Sequence, residues 1–114
     1  MNTRSQITTH ILDLGSGQPA AGVSVSLEQQ TDTGWHSLAS AMTDADGRIF
    51  NAFPLEVDAG TYRLTFDTQG YFQHQGKRCF YPSVTIVFCL DDADAHYHVP
   101  LLLNQWGYST YRGS

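Results

Sequence analysis

Cysteine, positive charge and long apolar runs are all scarce in this sequence. There are 2 cysteines, Cys79 and Cys89, too few for a disulfide framework. Cys89 falls in Val84-Thr85-Ile86-Val87-Phe88-Cys89-Leu90. That run reads as a buried strand, so a reduced structural thiol is expected and not a catalytic one. No run approaches membrane-spanning length, and no apolar stretch that could serve as a secretory leader follows Met1-Asn2-Thr3-Arg4-Ser5-Gln6. The ending is not the Ser-Lys-Leu peroxisomal address. A soluble cytoplasmic protein with no membrane partner is the expectation. Lys and Arg number 6 against 11 Asp and Glu, for a net charge of -5. That balance argues against a nucleic-acid partner, which requires a basic patch. It leaves room for a small anionic ligand, because a local cationic cluster can sit in an acidic protein. Nucleophile-elbow, phosphate-loop and zinc-finger spacings are all missing. Repeats, low-complexity tracts and linkers are missing too, so residues 1–114 read as one domain.

What is present is a series of short alternating segments broken by turn residues, the pattern of an all-β sandwich or barrel. Ile7 to Asp13 is the first expected strand, closed by the loop Gly15-Ser16-Gly17-Gln18-Pro19. Val23 to Gln30 alternates, with Val23, Val25 and Leu27 on one side. Trp35 to Met42 follows the Asp32-Thr33-Gly34 turn. Asp44-Ala45-Asp46-Gly47 is a tight turn with Gly47 placed for positive φ, and Arg48 to Phe53 is the next strand. Gly60 to Asp67 alternates again. Thr68 to Gln75 breaks the alternation and predicts one short helix, capped by Asp67 or Thr68 and ended near Gly76. Ser83 to Leu90, His96 to Leu103 and Gly107 to Arg112 complete eight strands.

Alternation decides which side chains share a face. His10 lies with Thr8 and Leu12, opposite Thr9 and Ile11. His96 and His98 lie with Pro100 and Leu102, opposite Tyr97, Val99, Leu101 and Leu103. Three features could carry chemistry: His10, the His96-Tyr97-His98 pair, and the polar, aromatic tail from Tyr108 to Ser114. Two imidazoles two residues apart suit a metal, but no third ligand at a suitable spacing is evident, and no metal is expected. Asp13, Asp67 and Asp91-Asp92 read as turn or cap residues. Periodicity alone stops at a soluble all-β domain.

Several motifs, spread in order over the whole chain, resemble the 5-hydroxyisourate hydrolases, the transthyretin-related proteins. They are Ile7-Thr8-Thr9-His10-Ile11-Leu12-Asp13 with Gly17-Gln18-Pro19-Ala20, Thr43-Asp44-Ala45-Asp46-Gly47-Arg48, and Phe80-Tyr81-Pro82. His96-Tyr97-His98-Val99-Pro100-Leu101-Leu102-Leu103 and the ending Tyr111-Arg112-Gly113-Ser114 complete the set. Asn104-Gln105-Trp106-Gly107 and Gln75-Gly76-Lys77-Arg78-Cys79 depart from the family pattern, outside the implied site. The resemblance implies a transthyretin-like (prealbumin-like) sandwich of two four-stranded sheets with one short helix. It also implies a homotetramer, a dimer of dimers with active sites in clefts between dimers.

The implied reaction, a step of urate degradation, is hydrolysis of the lactam bond between N1 and C6 of 5-hydroxyisourate. Its product is 2-oxo-4-hydroxy-4-carboxy-5-ureidoimidazoline. Carried over position by position, the catalytic set is His10, Arg48 and His98, and the substrate-binding set is Tyr111, Arg112, Gly113 and Ser114. No metal or organic cofactor is implied. Transthyretin itself, a hormone carrier, lacks the two histidines, the arginine and this ending, so the resemblance favours enzyme over carrier. An imidazole with a pKa of about 6.5 suits proton abstraction from water, and an invariably charged guanidinium suits an anionic ring or a developing oxyanion. The rivals are a carrier of small hydrophobic ligands and an adhesive-type structural sandwich. Tyr111, Pro100 and the charged cluster tell against an open carrier channel.

Overall fold

The computed structural model describes residues 4–114; the first three residues of the Met1–Gln6 stretch lie outside the described residues. The chain runs β1 (Ile7–Asp13), β2 (Gln18–Pro19), β3 (Ser24–Thr31), β4 (Gly34–Met42), β5 (Arg48–Ile49), β6 (Gly60–Phe66), α1 (Thr68–His74), β7 (Val84–Leu90), β8 (Tyr97–Asn104) and β9 (Gly107–Thr110). One sheet has the order β4-β3-β6-β7; the other runs β2-β1-β8-β9, with β5 also pairing β1. β2 meets β1 at Leu12 and Asp13, and β5 meets it at Thr9 and His10. The two short strands therefore share one edge of β1, and this sheet too is four strands wide. β1 and β8 run parallel, Ile7 opposite Tyr97 through Asp13 opposite Leu103.

The core follows the alternation. Val25 and Leu27 of β3 and Tyr62, Leu64 and Phe66 of β6 are fully buried, and Ile11 of β1 and Leu101 of β8, paired in the other sheet, are fully buried with them. Such burial stabilises by about 1.5–3 kcal/mol for each large apolar side chain. The helix is capped as its sequence predicts. The Asp67 carboxylate accepts from Gly70 N–H at 3.0 Å, and Gly76 at φ 69° ends it. There Lys77 N–H donates to Phe72 C=O at 2.9 Å, the six-to-one bond of a Schellman motif.

Four expectations are corrected. Gln18 and Pro19 pair with β1 and are not simply loop. The strand expected from Arg48 to Phe53 stops at Ile49, because the N-terminal segment takes the next backbone groups. Ser5 N–H donates to Phe50 C=O at 2.7 Å, and the Ser5 hydroxyl donates to Phe53 C=O at 2.6 Å. The last strand stops at Thr110, two residues before Arg112, and Gly113 then makes an isolated bridge with His98. Cys89, expected in a buried strand, is exposed. β7 is the outer strand of its sheet, so Thr85, Val87 and Cys89 face away from the core.

Candidate active site

The face of the β2-β1-β8-β9 sheet turned away from the core carries the candidate residues. Parity puts Thr8 and His10 of β1 on that face. Pairing sets His98 beside Thr8, and both Pro100 and Arg48 beside His10. Opposed side chains on one face stand with Cβ atoms about 4.5–5.5 Å apart. His10, Arg48 and His98 thus come together from three strands distant in sequence.

Arg48 is delivered by a shaped turn. The Asp44 carboxylate accepts from the backbone N–H groups of Asp46 and Arg48, each at 2.9 Å. Gly47 sits at φ 73°, and a Cβ there would lie 2.5 Å from Ile11 O. Only glycine fits both the left-handed backbone and the contact with β1. Ile11 N–H donates to Gly47 C=O at 2.8 Å, so the turn is fastened to the strand that carries His10.

The tail closes the other side. Gly113 N–H donates to His98 C=O at 2.8 Å, bringing Ser114 to a cavity of about 140 Å³ whose walls include Arg4, Thr8, Arg48, His96, His98 and Ser114. A Cβ on Gly113 would meet His98 Cδ2 at 2.6 Å and Pro100 Cγ at 3.1 Å, so this approach also requires glycine. Tyr111 and Arg112 go elsewhere within one chain. They line a separate 310 Å³ cleft with Ile86, Phe88 and His98, where the Arg112 guanidinium lies 4.4 Å from the centre of the Tyr97 ring. His98 borders both spaces. His10 stands beside the smaller one, two residues along β1 from Thr8, without lining it.

Three residues outside the motif-derived set join it: Thr8, His96 and Arg4. Thr8 Oγ1 lies 2.7 Å from His98 Nδ1 and 2.9 Å from His96 Nε2. The two imidazoles are stacked, with centroids 6.2 Å apart. The spacing of two residues already placed His96 with His98; nothing in the sequence pointed to Arg4, which comes from the segment before β1. Among the described residues no group of three His, Cys, Asp or Glu side chains is arranged to hold a metal ion.

Burial first, and nearby positive charge second, lower the pKa of these imidazoles. Burial lowers the pKa of His98, helped by His96, Arg48, His10 and Arg4. Burial and then Arg48 lower that of His10, opposed by a hydrogen bond with the Asp46 backbone and by the Asp44 and Asp46 carboxylates. Burial and Arg4 lower that of His96. The result is a polar hollow with two guanidiniums, imidazoles biased toward their basic form and the Ser114 side chain, suited to binding an anion and removing a proton from water.

The HIUase/Transthyretin family model matches residues 7–113. A 5-hydroxyisourate hydrolase of Salmonella dublin is 48% identical over 95% of this chain and 80% of its own length. The solved 5-hydroxyisourate hydrolase of Klebsiella pneumoniae superposes with a TM-score of 0.85 at 38% identity, covering 95% of this chain and 97% of that one. Transthyretin from Sparus aurata superposes with a TM-score of 0.91 at 34% identity, over 96% and 97% of the two chains. Backbone shape is thus shared by enzyme and carrier and does not choose between them. The match of the family model over nearly the whole chain, with these relatives, shows that the protein belongs to the HIUase/transthyretin family.

Proposed function

We propose that this protein hydrolyses 5-hydroxyisourate in urate degradation, opening the lactam between N1 and C6 to give 2-oxo-4-hydroxy-4-carboxy-5-ureidoimidazoline. The observation that carries this reading is the meeting of His98, His10 and Arg48 on one sheet face beside Ser114. Relatives named as hydrolases reach 48% identity in sequence, and on superposition a hydrolase is 38% identical against 34% for a transthyretin, which supports enzyme over carrier.

The chemistry follows from the groups. Water adds to C6, losing a proton as the carbonyl oxygen becomes anionic; the C6–N1 bond then breaks, and N1 takes a proton. His98 Nε2 makes no hydrogen bond within the described residues, and no buried side-chain nitrogen or oxygen lacks a partner there. That nitrogen is therefore not sealed in the interior, and on a ring that borders the hollow it can take the proton. General-base assistance supplies roughly 10²–10⁴-fold. Arg48 offers a planar set of donors to the anionic ring or the oxyanion. His10, held beside Arg48, is the second imidazole positioning the water and returning a proton to N1. Ser114 reaches substrate through its hydroxyl.

The 140 Å³ hollow is smaller than the roughly 300–1,000 Å³ of small-molecule pockets. This supports a site completed by another copy in a homotetramer, a dimer of dimers, where Tyr111 and Arg112 wall the cleft. No helix among the described residues is long and apolar enough to cross a membrane, and a cytoplasmic location is part of the proposal. The test uses 5-hydroxyisourate generated in place from urate by urate oxidase, in water labelled with oxygen-18. The protein should speed its disappearance well above the spontaneous rate, with one label in the new carboxylate. Decay at the spontaneous rate refutes the reading.

A further inference from the structure

We infer that Thr8 and His96 are positioning residues for His98, the Thr8 hydroxyl holding that ring with its proton on Nδ1 and its Nε2 bare. The inference rests on the hydrolytic reading above and adds to it a specified proton arrangement.

Thr8 is 3% exposed, and its Oγ1 stands 2.7 Å from His98 Nδ1 and 2.9 Å from His96 Nε2. A hydroxyl carries a single proton and accepts through its lone pairs. It cannot donate to both rings, and if it accepted from both, its own proton would be left buried without an acceptor; one imidazole therefore donates to it while the other accepts from it. Two directions are possible. In one, His98 Nδ1–H donates to Thr8, Thr8 donates to His96 Nε2, and His98 Nε2 carries a lone pair. In the other, His96 Nε2–H donates to Thr8, Thr8 donates to His98 Nδ1, and His98 Nε2 carries a hydrogen and is no base.

The surroundings choose the first. One hollow that His98 borders is lined by Arg4 and Arg48, and positive charge beside the ring favours a lone pair over an N–H on its outer nitrogen. His96 must stay neutral to accept, and burial and Arg4 favour that form. Protonating His96 would place a hydrogen on its Nε2, reverse the Thr8 hydroxyl and strip His98 of its basic nitrogen. The charge on His96 therefore controls the tautomer of a ring that it does not touch. Charged and titratable groups around the pair are Arg4, Arg48 and His10; none of them bonds to the Thr8 hydroxyl, so none substitutes for this link. When His98 takes the proton of water, its Nδ1–H bond to Thr8 becomes a charge-assisted one and steadies the imidazolium.

The test pairs spectroscopy with kinetics. Long-range proton–nitrogen correlation on histidine-labelled protein at about pH 7.5 should show His98 as the Nδ1–H tautomer. Thr8→Val should mix the tautomers and lower kcat about 10-fold or more, with KM nearly unchanged, within the roughly 10²–10⁴ available to a general base. Thr8→Ser, which keeps the hydroxyl, should restore both. His96→Ala, at a half-buried ring whose loss spares the core, should turn a steep acid limb of kcat/KM into a one-proton limb at higher pH. An Nε2–H tautomer of His98 in the wild type overturns the inference. So does a folded Thr8→Val protein with unchanged tautomer and kcat, or a His96→Ala protein with an unchanged acid limb. The spectroscopic arm needs no substrate. A wild type that leaves 5-hydroxyisourate untouched refutes the hydrolytic reading, separately from the tautomer.

Discussion

The Gly113 backbone, pressed on His98, is the most exacting contact of the site. Gly113→Ala would place a Cβ 2.6 Å from His98 Cδ2, forcing ring or tail to shift. Misplacement of about 1 Å can cost about 10²-fold in rate, so a large loss of kcat/KM is expected with little change in Tm. Deleting Ser114 should likewise impair turnover at nearly constant Tm, because the residue is exposed and adds nothing to the core. Acid has a definite sign here. Folding lowers the proton affinity of His10, His96 and His98, so the unfolded chain binds more protons below about pH 6.5. Stability is then full above that value and falls with acidification until the pH passes below the folded-state pKa values. Thermal melts should show Tm level above neutrality and dropping below it, and His98→Phe should flatten the drop. Much of this was legible beforehand, since period-two alternation alone puts His10 with Thr8 and His96 with His98. The hydroxyl shared between rings was not, because β1 and β8 meet only through long-range pairing. The tail also defied linear reading: four consecutive residues were expected to act together, yet within one chain Ser114 and Tyr111 border different hollows.

Each segment of backbone has a separable job. The turn from Asp44 to Arg48 is a rigid delivery device for one guanidinium. Gly47→Ala combines a φ of 73° with a 2.5 Å clash on Ile11 O. It should destabilise the fold by about 1–3 kcal/mol, read as a lower denaturation midpoint, and should displace Arg48 enough to weaken substrate binding. Asp44→Ala removes two carboxylate bonds to backbone N–H and should raise KM at smaller cost in stability. Turn chemistry and helix capping were readable because they are local: Asp-Ala-Asp-Gly, Asp67 and Gly76 act on backbone within a few residues. Strand ends were less so. β5 stops after Ile49 because Ser5, over forty residues earlier, claims the carbonyls of Phe50 and Phe53. Cys89 was misjudged because an apolar run looks the same in a central strand and in an edge strand that leaves one face uncovered.

At the scale of the assembly, one side of the sandwich is unfinished. β7 and β9 are both outer strands, and Val87, Tyr108 and Tyr111 are exposed along them, Val87 at 56% and Tyr111 at 58%. Bare strand edges with apolar side chains favour pairing with another copy. Light scattering should give about four times the 12.7 kDa of one chain. Val87→Arg should lower the assembled mass and the hydrolytic rate together; an active monomer would contradict a cleft completed between subunits. The central claim is that His10, Arg48 and His98 act as one cationic, water-activating site. Its most direct measurement is kcat/KM for 5-hydroxyisourate across wild type, His10→Ala, Arg48→Ala and His98→Ala, each confirmed as folded and assembled. Each variant should lose roughly 10²-fold or more; full activity in all three overturns a shared role for these side chains.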